Sequence, residues 1–277
     1  MHYTITTPWF GRTGNNIQSI SNAIYFCRLK GFNFHSPPNS FIEEFSENFG
    51  TESNISSPFF TIKDLNCDKP CYIKDDIMFC DISDLNSQRK DICETFILPR
   101  LKIPLLKDPL PSSTLVVHIR GGDIFDFNPA YVGFEGEIDN FPGMMVQNPL
   151  CFYENLFKNF KSVLIVAEDF SNPVIKHLQK NKKVKVVSSS IEEDFSLLLR
   201  AKNLATSGVG TFAIAAALCS KNIETLFCTN LFYTHHLNPT MLEGKINVEI
   251  NNLEGYIKRG EWKNTLSQRK LMVTYKC

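Results

Sequence analysis

The sequence predicts an α/β fold built around a doubly wound parallel sheet. Short apolar segments rich in branched residues recur in the second half of the chain, and helical patterns fall between them. Such segments are typical of strands that are buried on both faces. Strands that alternate with helices at this spacing predict right-handed βαβ units. The 277 residues are enough for two small α/β domains or one large one.

The second half contains four predicted strands, at residues 114–119, 162–167, 183–187 and 223–228. Helices are predicted at 151–160, from a cap at Ser171 with Pro173 in the first turn, from a cap at Ser190, and at 211–219. Ser190 and Glu193 fit a capping box. The segment 211–219 is almost wholly apolar, so this helix should be buried.

The first half is less regular. Strands are predicted at 3–6 and 31–35, and helices at 15–30 and 88–100, whereas residues 48–85 fit no element. Three prolines near 105–113 predict a linker between two domains. The expected division is therefore 1–110, 111–250 and a helical tail at 251–277.

Charge and composition exclude several classes of partner. The formal net charge is zero, whereas nucleic-acid-binding proteins usually have a basic excess. No apolar run approaches the ~18 residues of a membrane span, and no signal peptide is visible, so a cytoplasmic location is expected. The nine cysteines have irregular spacing, which predicts free thiols. Cys67, Cys71 and Cys80 do not have the spacing of a zinc site, and no metal is expected.

The first candidate site follows the strand at 114–119. His118 and Arg120 lie at its carboxyl end, where open α/β sheets bind ligands. The guanidinium of Arg120 can make paired hydrogen bonds to phosphate oxygens. Gly121 and Gly122 permit close approach of the backbone, and Asp123 could orient Arg120 or bind a ribose. A strand end with a solvated ion pair and a glycine turn would have the same sequence.

Two further loops have the character of anion sites. One contains Ser207, Gly210, Thr211 and Phe212 at the start of the apolar helix, where free N–H groups and the helix dipole favour negative charge. The other lies after the first strand and contains Gly11, Arg12, Gly14, Asn15 and Asn16. Neither has the full glycine pattern of a dinucleotide-binding or P-loop protein. Ordinary capped turns remain an alternative for both.

These loops, in this order, resemble those of the fucosyltransferase-like glycosyltransferases, which include the α-1,2- and α-1,6-fucosyltransferases and the protein O-fucosyltransferases. The segment 11–16 resembles their G-x-x-G-N loop, and 118–123 resembles their H-x-R-x-x-D motif. The segments 192–195 and 207–212 resemble their acidic helix and Ser/Thr-Phe loop. The sequence departs from the family at Gly121, where many relatives have a second arginine, and it lacks the membrane anchor of animal Golgi relatives.

The resemblance implies a GT-B architecture, in which two Rossmann-like domains with parallel sheets face a central cleft. It implies a metal-independent, inverting transfer of fucose from GDP-fucose to a glycan acceptor, with no cofactor. The N-terminal domain would lie on the acceptor side and contribute Asn15 and Asn16, and the C-terminal domain would bind the nucleotide sugar. The implied donor contacts are Arg120 to the β-phosphate, Ser207 and Thr211 to the phosphates, His118 and Asp123 to the pocket, and Glu192 or Asp194 to the nucleoside.

An inverting transfer also requires a base for the acceptor proton. Asp126, Glu135 and Glu137 are the candidates, because they lie in the long segment after the first motif. Two alternatives remain: the same fold with another donor, such as UDP-xylose, and a non-catalytic relative that binds a sugar nucleotide. The absence of a second arginine beside Arg120 is the main support for the non-catalytic alternative.

Overall fold

The fold contains two sheets. The computed structural model describes residues 4–6, 12–50, 83–104, 108–126, 141–234 and 236–277. The smaller sheet contains β1 (Thr4–Thr6), β2 (Asn33–Ser36) and β3 (Phe45–Asn48). The larger sheet contains β4 (Thr114–Ile119), β5 (Ser162–Ala167), β6 (Val184–Val187), β7 (Asn203–Ala205), β8 (Thr225–Thr229) and β9 (Asn247–Asn251).

The larger sheet is parallel throughout, with the strand order β6-β5-β4-β7-β8-β9. This is the order of a doubly wound Rossmann sheet, in which the chain first builds outward from a central strand and then returns to build the other side. Val117 of β4 lies between Ile165 of β5 and Ala205 of β7. The predicted α/β class is confirmed, and the sheet is consistent with a GT-B-like Rossmann fold.

The smaller sheet is mixed. β1 and β2 are parallel, with Ile5 opposite Phe34, whereas β3 is antiparallel to β2. The helix between β1 and β2 is α1 (Thr13–Lys30), which ends at Gly31 in a left-handed conformation with φ 66°. Glycine tolerates this conformation without a steric penalty, so it terminates the helix.

Further helical segments connect the strands. In chain order they are α2 (Ser83–Asn86), α3 (Arg89–Ile92), α4 (Asp123–Asp126), α5 (Phe141–Met144), α6 (Leu150–Phe157), α7 (Pro173–Leu178), α8 (Ile191–Leu199), α9 (Phe212–Cys219) and α10 (Leu266–Thr274). A π turn (Cys93–Ile97) and a 3-10 turn (Leu98–Arg100) follow α3, and another 3-10 turn (Pro239–Leu242) precedes β9.

Several predicted boundaries need correction. The helix predicted at 88–100 changes from α to π to 3-10 geometry, and Pro99 lies within its last turn. α7 is capped by Asn172, whose side chain accepts from the N–H of Val174, and not by Ser171. The capping box of Ser190 and Glu193 is confirmed. β3, β7 and β9 were not predicted.

The N-terminal elements and one face of the large sheet share a continuous apolar core. Ile17 and Ile24 of α1 belong to the same cluster of buried side chains as Ala213 and Ala216 of α9, and as Val116 of β4. The predicted burial of α9 is confirmed. Because α1 packs against α9, the amino ends of both helices are held beside the carboxyl edge of the large sheet.

The expectation of free thiols was wrong for one pair. Cys151 and Cys277 form a disulfide that links α6 to the segment after α10, with their Cα atoms 5.8 Å apart. Sequence spacing cannot reveal such a pair, because its two residues are 126 positions apart. Cys67, Cys71 and Cys80 lie outside the described residues.

Among the described residues, no group of three or more His, Cys, Asp and Glu side chains is arranged to hold a metal ion. No described helix has both the length and the apolar character needed to span a membrane. The predicted domain limits at residues 110 and 250 stay predictions, and residues 105–107 of the predicted linker lie outside the described ranges.

Candidate ligand-binding site

A cavity lies where the winding direction of the large sheet reverses. β4 and β7 are neighbours there, although β5 and β6 lie between them in the sequence. Open α/β sheets bind ligands in the crevice outside the carboxyl ends of such a pair of strands. The cavity has a volume of about 310 Å³, which is at the lower end of the range for small-molecule sites.

Six segments that are distant in sequence line this cavity. Five of them are the start of α1, the end of β4, the residue after β5, the start of α8, and the loop that leads into α9. Their lining residues include Arg12, Thr13, Gly14, His118, Arg120, Glu168, Ser189, Ile191, Glu192, Asp194, Gly210, Thr211 and Phe212. Ser40 and Phe41, which form the sixth segment, complete the wall. The three predicted loops therefore meet at one place.

Arg120 follows β4, and its side chain is only 13% exposed. One terminal nitrogen, Nη2, donates to both carboxylate oxygens of Asp123 at 3.2 and 3.3 Å. Its Nε is buried and has no hydrogen-bond partner among the described residues. Burial lowers the pKa of Arg120, and the carboxylate of Asp123 opposes that shift. A buried N–H without a partner is costly, so an acceptor at this point would stabilise the site.

Arg12 brings a second guanidinium to the same place from the N-terminal half. Its Nη1 donates to Asp123 Oδ1 at 3.2 Å, and its Nη2 donates to Glu168 in a short contact. The side chain of Arg12 is half exposed. Two arginines and two carboxylates thus form one network beside the cavity, and the carboxylates occupy positions that an anionic ligand would compete for.

Gly121 and Gly122 form a tight turn against the end of β5. The N–H of Gly122 donates to Asp169 Oδ2 at 2.8 Å and to Ser171 Oγ at 3.1 Å. A Cβ on Gly121 would overlap Asp169 Oδ1 and would lie 2.8 Å from Asp169 Cγ. Burial alone would raise the pKa of Asp169, but hydrogen bonds from Ser171 and Gly122 and the charge of Arg12 lower it overall. The Asp169 carboxylate therefore occupies the space that a side chain at position 121 would need.

The amino ends of α1 and α9 touch each other at the cavity. A Cβ on Gly14 would overlap Thr211 Oγ1 and would lie 2.7 Å from Thr211 Cβ. The hydroxyl of Thr211 donates to Asn15 Oδ1 at 3.1 Å. Neither α1 nor α9 has a side-chain cap, whereas α8 has a complete capping box. The first N–H groups of α1 and α9 are thus not covered by capping side chains.

The loop from β7 to α9 is held by buried amides. Asn148 Nδ2 donates to the carbonyl of Thr206 at 2.8 Å, and Gln147 Nε2 donates to the carbonyl of Val209 at 3.1 Å. Gly208 has φ 106°, and a Cβ there would lie 2.7 Å from the carbonyl oxygen of Val146. Gly210 has open space: its nearest neighbours would be Ser207 Oγ and Arg120 Cδ, at 3.7 and 4.0 Å. Hence the backbone at Gly210 lies beside Arg120.

A row of rings connects His118 to the N-terminal half. His118 contacts Phe212, Phe212 contacts Phe195, and Phe195 contacts Phe41, each pair with ring centroids 5.2 Å apart. His118 is only 7% exposed. Burial, followed by the charges of Arg120 and Arg12, lowers the pKa of His118 to about 3. This imidazole is therefore neutral at physiological pH, so it does not add to the positive charge of the site.

Carboxylates of α8 also line the cavity. Glu192 and Asp194 lie in the first turn of α8, which faces the cavity through Ile191. Asp194 is 6% exposed, and its Oδ1 accepts from the N–H of Ser189 at 3.2 Å. Burial raises the pKa of Asp194 to about 6, although the bond from Ser189 opposes this shift. The cavity lining thus contains two arginines, Arg12 and Arg120, and three carboxylates, Glu168, Glu192 and Asp194.

Comparison with solved structures gives a weak structural likeness. No protein-family model matches the chain, and no curated protein matches it. It is similar to a crystal structure of POFUT1, a protein O-fucosyltransferase, in complex with GDP, with a TM-score of 0.39 and 11% sequence identity. The alignment covers 82% of this chain and 98% of that chain. A likeness at this level assigns no function. The residues of the cavity must therefore support any assignment.

Most predicted site residues lie at or beside the cavity. Gly121, Gly122 and Asp123 form its supporting turn, Asn15 and Asn16 lie at the start of α1, and Ser207 is buried beneath Gly210. Asn16 Nδ2 donates to the carbonyl of Arg12, so this residue positions the loop. Asp126 is exposed in α4 and does not line the cavity. Gly11, Glu135 and Glu137 lie outside the described residues.

Sequence reasoning missed the contribution of β5. Glu168, Asp169 and Ser171 follow this strand, and they contact Arg12, Gly122 and the turn at Gly121. Their position at the carboxyl end of a predicted strand was a usable signal, because parallel strands end at the same edge of a sheet. Phe41 could not be found in this way, since it belongs to a loop in the N-terminal half.

Proposed function

We propose that the protein is a glycosyltransferase that binds a nucleotide sugar in the 310 Å³ cavity. The observation that carries this proposal is the meeting of Arg120, Arg12 and the uncapped amino end of α9 at the carboxyl edge of β4 and β7. Guanidinium groups and helix N–H groups are the donors that diphosphates bind. Among the described residues, the buried Nε of Arg120 has no acceptor, and a phosphate oxygen would supply one.

Transfer of a sugar from a nucleotide leaves negative charge on the departing diphosphate. Arg120 and the N–H groups at Thr211 and Phe212 would stabilise that charge as it develops, in the same manner as an oxyanion hole. Both elements are rigid, since Arg120 is fixed to a central strand and α9 is buried. A preorganised site of this kind needs little reorganisation during the reaction.

The carboxylates of α8 in the cavity lining favour a guanine nucleotide. Guanine presents adjacent N–H donors on its Watson–Crick edge, and a carboxylate such as Asp194 or Glu192 can accept both of them. Uracil and thymine present one such donor, so they would satisfy these carboxylates less well. We therefore assign GDP as the nucleotide and GDP-fucose, which the family resemblance implies, as the donor. UDP-xylose is the alternative.

The surroundings of Gly121 are compatible with a catalytic protein, although many relatives have a second arginine at this position. The space for a side chain at this position is occupied by Asp169, which organises the turn at Gly122. Arg12 brings a second guanidinium to the network from another element. The positive charge that relatives obtain from adjacent arginines would thus come from two loops, and the non-catalytic alternative loses its main support.

The base for the acceptor hydroxyl stays a prediction. Asp126 is the described candidate, at the end of α4 and three residues after Asp123. Glu135 and Glu137 are the other two. Turnover of the three single alanine variants distinguishes them, because loss of the base should abolish transfer but preserve nucleotide binding.

Thermal denaturation with GDP, UDP and dTDP tests the proposal. A ligand that binds the native state raises its melting temperature, so GDP should give the largest rise. Arg120→Ala should abolish this rise and reduce turnover of the nucleotide sugar by ~10²–10³-fold. Arg28→Ala is the matched control, since Arg28 is exposed on α1 away from the cavity. An unchanged response of Arg120→Ala to GDP would contradict the assignment.

A further inference from the structure

A second and larger cavity lies at the same edge of the large sheet. Its volume is about 600 Å³, and it is lined by the segments that follow β8 and β9. Asn230 and Leu231 follow β8, and Asn252 and Leu253 follow β9. Because both strands are parallel to β4 and β7, this cavity opens at the carboxyl edge, as the first one does.

One buried segment separates the two cavities. The hydroxyl of Tyr256, which lines the second cavity, donates to the carbonyl of Gln147 at 3.1 Å. The Gln147 side chain in turn donates to the carbonyl of Val209 at 3.1 Å, and Val209 precedes Gly210 of the first cavity. A ligand in the second cavity would thus lie across a single wall from the loop that leads into α9.

The chemistry of the second cavity fits an uncharged, hydroxyl-rich ligand. Its carboxamides, Asn230 and Asn252, are joined by a 2.6 Å hydrogen bond, and the N–H of Leu253 fixes Asn230 through its Oδ1 at 3.2 Å. A carboxamide can donate and accept at once, as a sugar hydroxyl does. Asn252 is exposed, and its Oδ1 already accepts from Asn230. This bond fixes the orientation of the Asn252 carboxamide and leaves its Nδ2 on the other side.

Aromatic surface is also present. Tyr233 lines the cavity and contacts the ring of His236 at a centroid distance of 5.1 Å. The face of an aromatic ring can pack against the C–H face of a sugar. The ionisable lining residues are Glu254, Lys258 and Arg259, which give a formal charge of only +1. This weak and mixed charge does not match a polyanionic ligand.

We infer that this second cavity binds sugar units of the acceptor glycan that are remote from the reacting hydroxyl, with Asn252 and Tyr233 as its recognition residues. The inference rests on the proposed function, because a transferase needs a second substrate beside its donor. Because the acceptor hydroxyl must reach the anomeric carbon of the donor in the first cavity, the glycan would extend from the second cavity past the wall formed by residues 146–148.

Retention of the labelled full chain on an array of immobilised neutral oligosaccharides tests this inference. We expect retention of at least one glycan, and a tenfold or greater loss of that retention in Asn252→Ala and Tyr233→Ala. Asn251→Ala is the matched control: it is the exposed neighbour of Asn252 and does not line the cavity. Circular dichroism melting checks that each variant is folded.

The two proposals fail in different ways. Loss of acceptor binding in Asn252→Ala should leave the GDP-induced rise in melting temperature unchanged, whereas Arg120→Ala should lose that rise and keep glycan retention. Absence of retention on every neutral glycan, or equal retention by wild type and Asn252→Ala, would overturn the acceptor site. Absence of a GDP response in the wild type would instead overturn the proposed donor site.

Discussion

Arg12 and Arg120 donate to the same oxygen, Oδ1 of Asp123, each at 3.2 Å, although they come from different halves of the chain. This shared contact joins the loop before α1 to the end of β4. The Asp123 carboxylate also offsets part of the positive charge of the two guanidinium groups. A diphosphate would take over part of this role, so the carboxylate competes with the ligand for the guanidinium groups.

Asp123→Asn should therefore strengthen GDP binding. Exposed ion pairs contribute ~0.2–1 kcal/mol, so we expect the Kd of GDP to fall about two- to fivefold, with a larger effect at low salt. Titration calorimetry at two salt concentrations measures this change. Asp108→Asn, at an exposed aspartate outside the cavity, is the control. Weaker binding in Asp123→Asn would mean that this carboxylate itself contacts the ligand.

Substitution by alanine should affect two glycines of the site differently: it should lower stability at Gly121 and weaken GDP binding at Gly210. At Gly121 a Cβ would overlap the Asp169 carboxylate, so Gly121→Ala should lower the free energy of unfolding by ~1–3 kcal/mol. At Gly210 a Cβ meets nothing closer than 3.7 Å, so stability should change by less than ~0.5 kcal/mol. The added methyl would nevertheless lie beside Arg120 in the cavity and should weaken GDP binding.

Urea unfolding and GDP titration of both variants check this contrast, and each glycine serves as the control for the other. Neither has a positive φ, so backbone strain does not confuse the comparison. Equal stability of the two variants would show that Asp169 moves away without cost, and position 121 would then have room for a side chain.

The sequence predicted the strands correctly where a strand is apolar and a polar turn follows it. β4 and β5 were predicted with their bounds, and the turn at Arg120 follows from β4. β9 escaped prediction because it is a mostly exposed edge strand in which Val248 and Ile250 alternate with polar residues, so it lacks the continuous apolar run of a buried strand. β7 has only three residues, which is too short for a periodic signal.

The pairing of side chains across elements could not be predicted. Nothing in the sequence indicates that Arg12 contacts Glu168, because the two residues are brought together only by the packing of α1 on α9. The same holds for Cys151 and Cys277, whose pairing depends on the packing of α10 against α6.

The Cys151–Cys277 disulfide should contribute to stability. A cross-link between residues 126 positions apart restricts the unfolded chain, and removal of such a link typically costs ~2–5 kcal/mol. Cys151→Ser/Cys277→Ser should therefore melt at a lower temperature than the wild type, and dithiothreitol should lower the melting temperature of the wild type alone. Equal sensitivity of both proteins to the reductant would argue against this disulfide.

The pKa of Asp194 predicts a specific dependence of stability on pH. Burial raises this pKa from 3.8 to about 6 in the folded protein, so folding favours the protonated acid. The contribution of Asp194 to the free energy of unfolding therefore falls as pH rises from about 4 to about 6, and it is constant above that range. Asp194→Asn removes this titration, and it should be more stable than the wild type by ~1–3 kcal/mol at pH 7.

GDP binding should favour the ionised form of Asp194, whereas folding favours the protonated form. If the ionised carboxylate accepts from the base of GDP, binding to the wild type weakens as pH falls through about 6, because the protonated acid loses an acceptor. His118 does not interfere, since its pKa of about 3 keeps it neutral across this range. Urea unfolding and GDP titration at pH 4.5, 6 and 7.5 measure both effects. Parallel stability profiles for the wild type and Asp194→Asn would contradict the raised pKa. Because the terminal phosphate of GDP also titrates at about pH 6, the two proteins are compared, and the same pH dependence of GDP affinity in both would place the base away from Asp194.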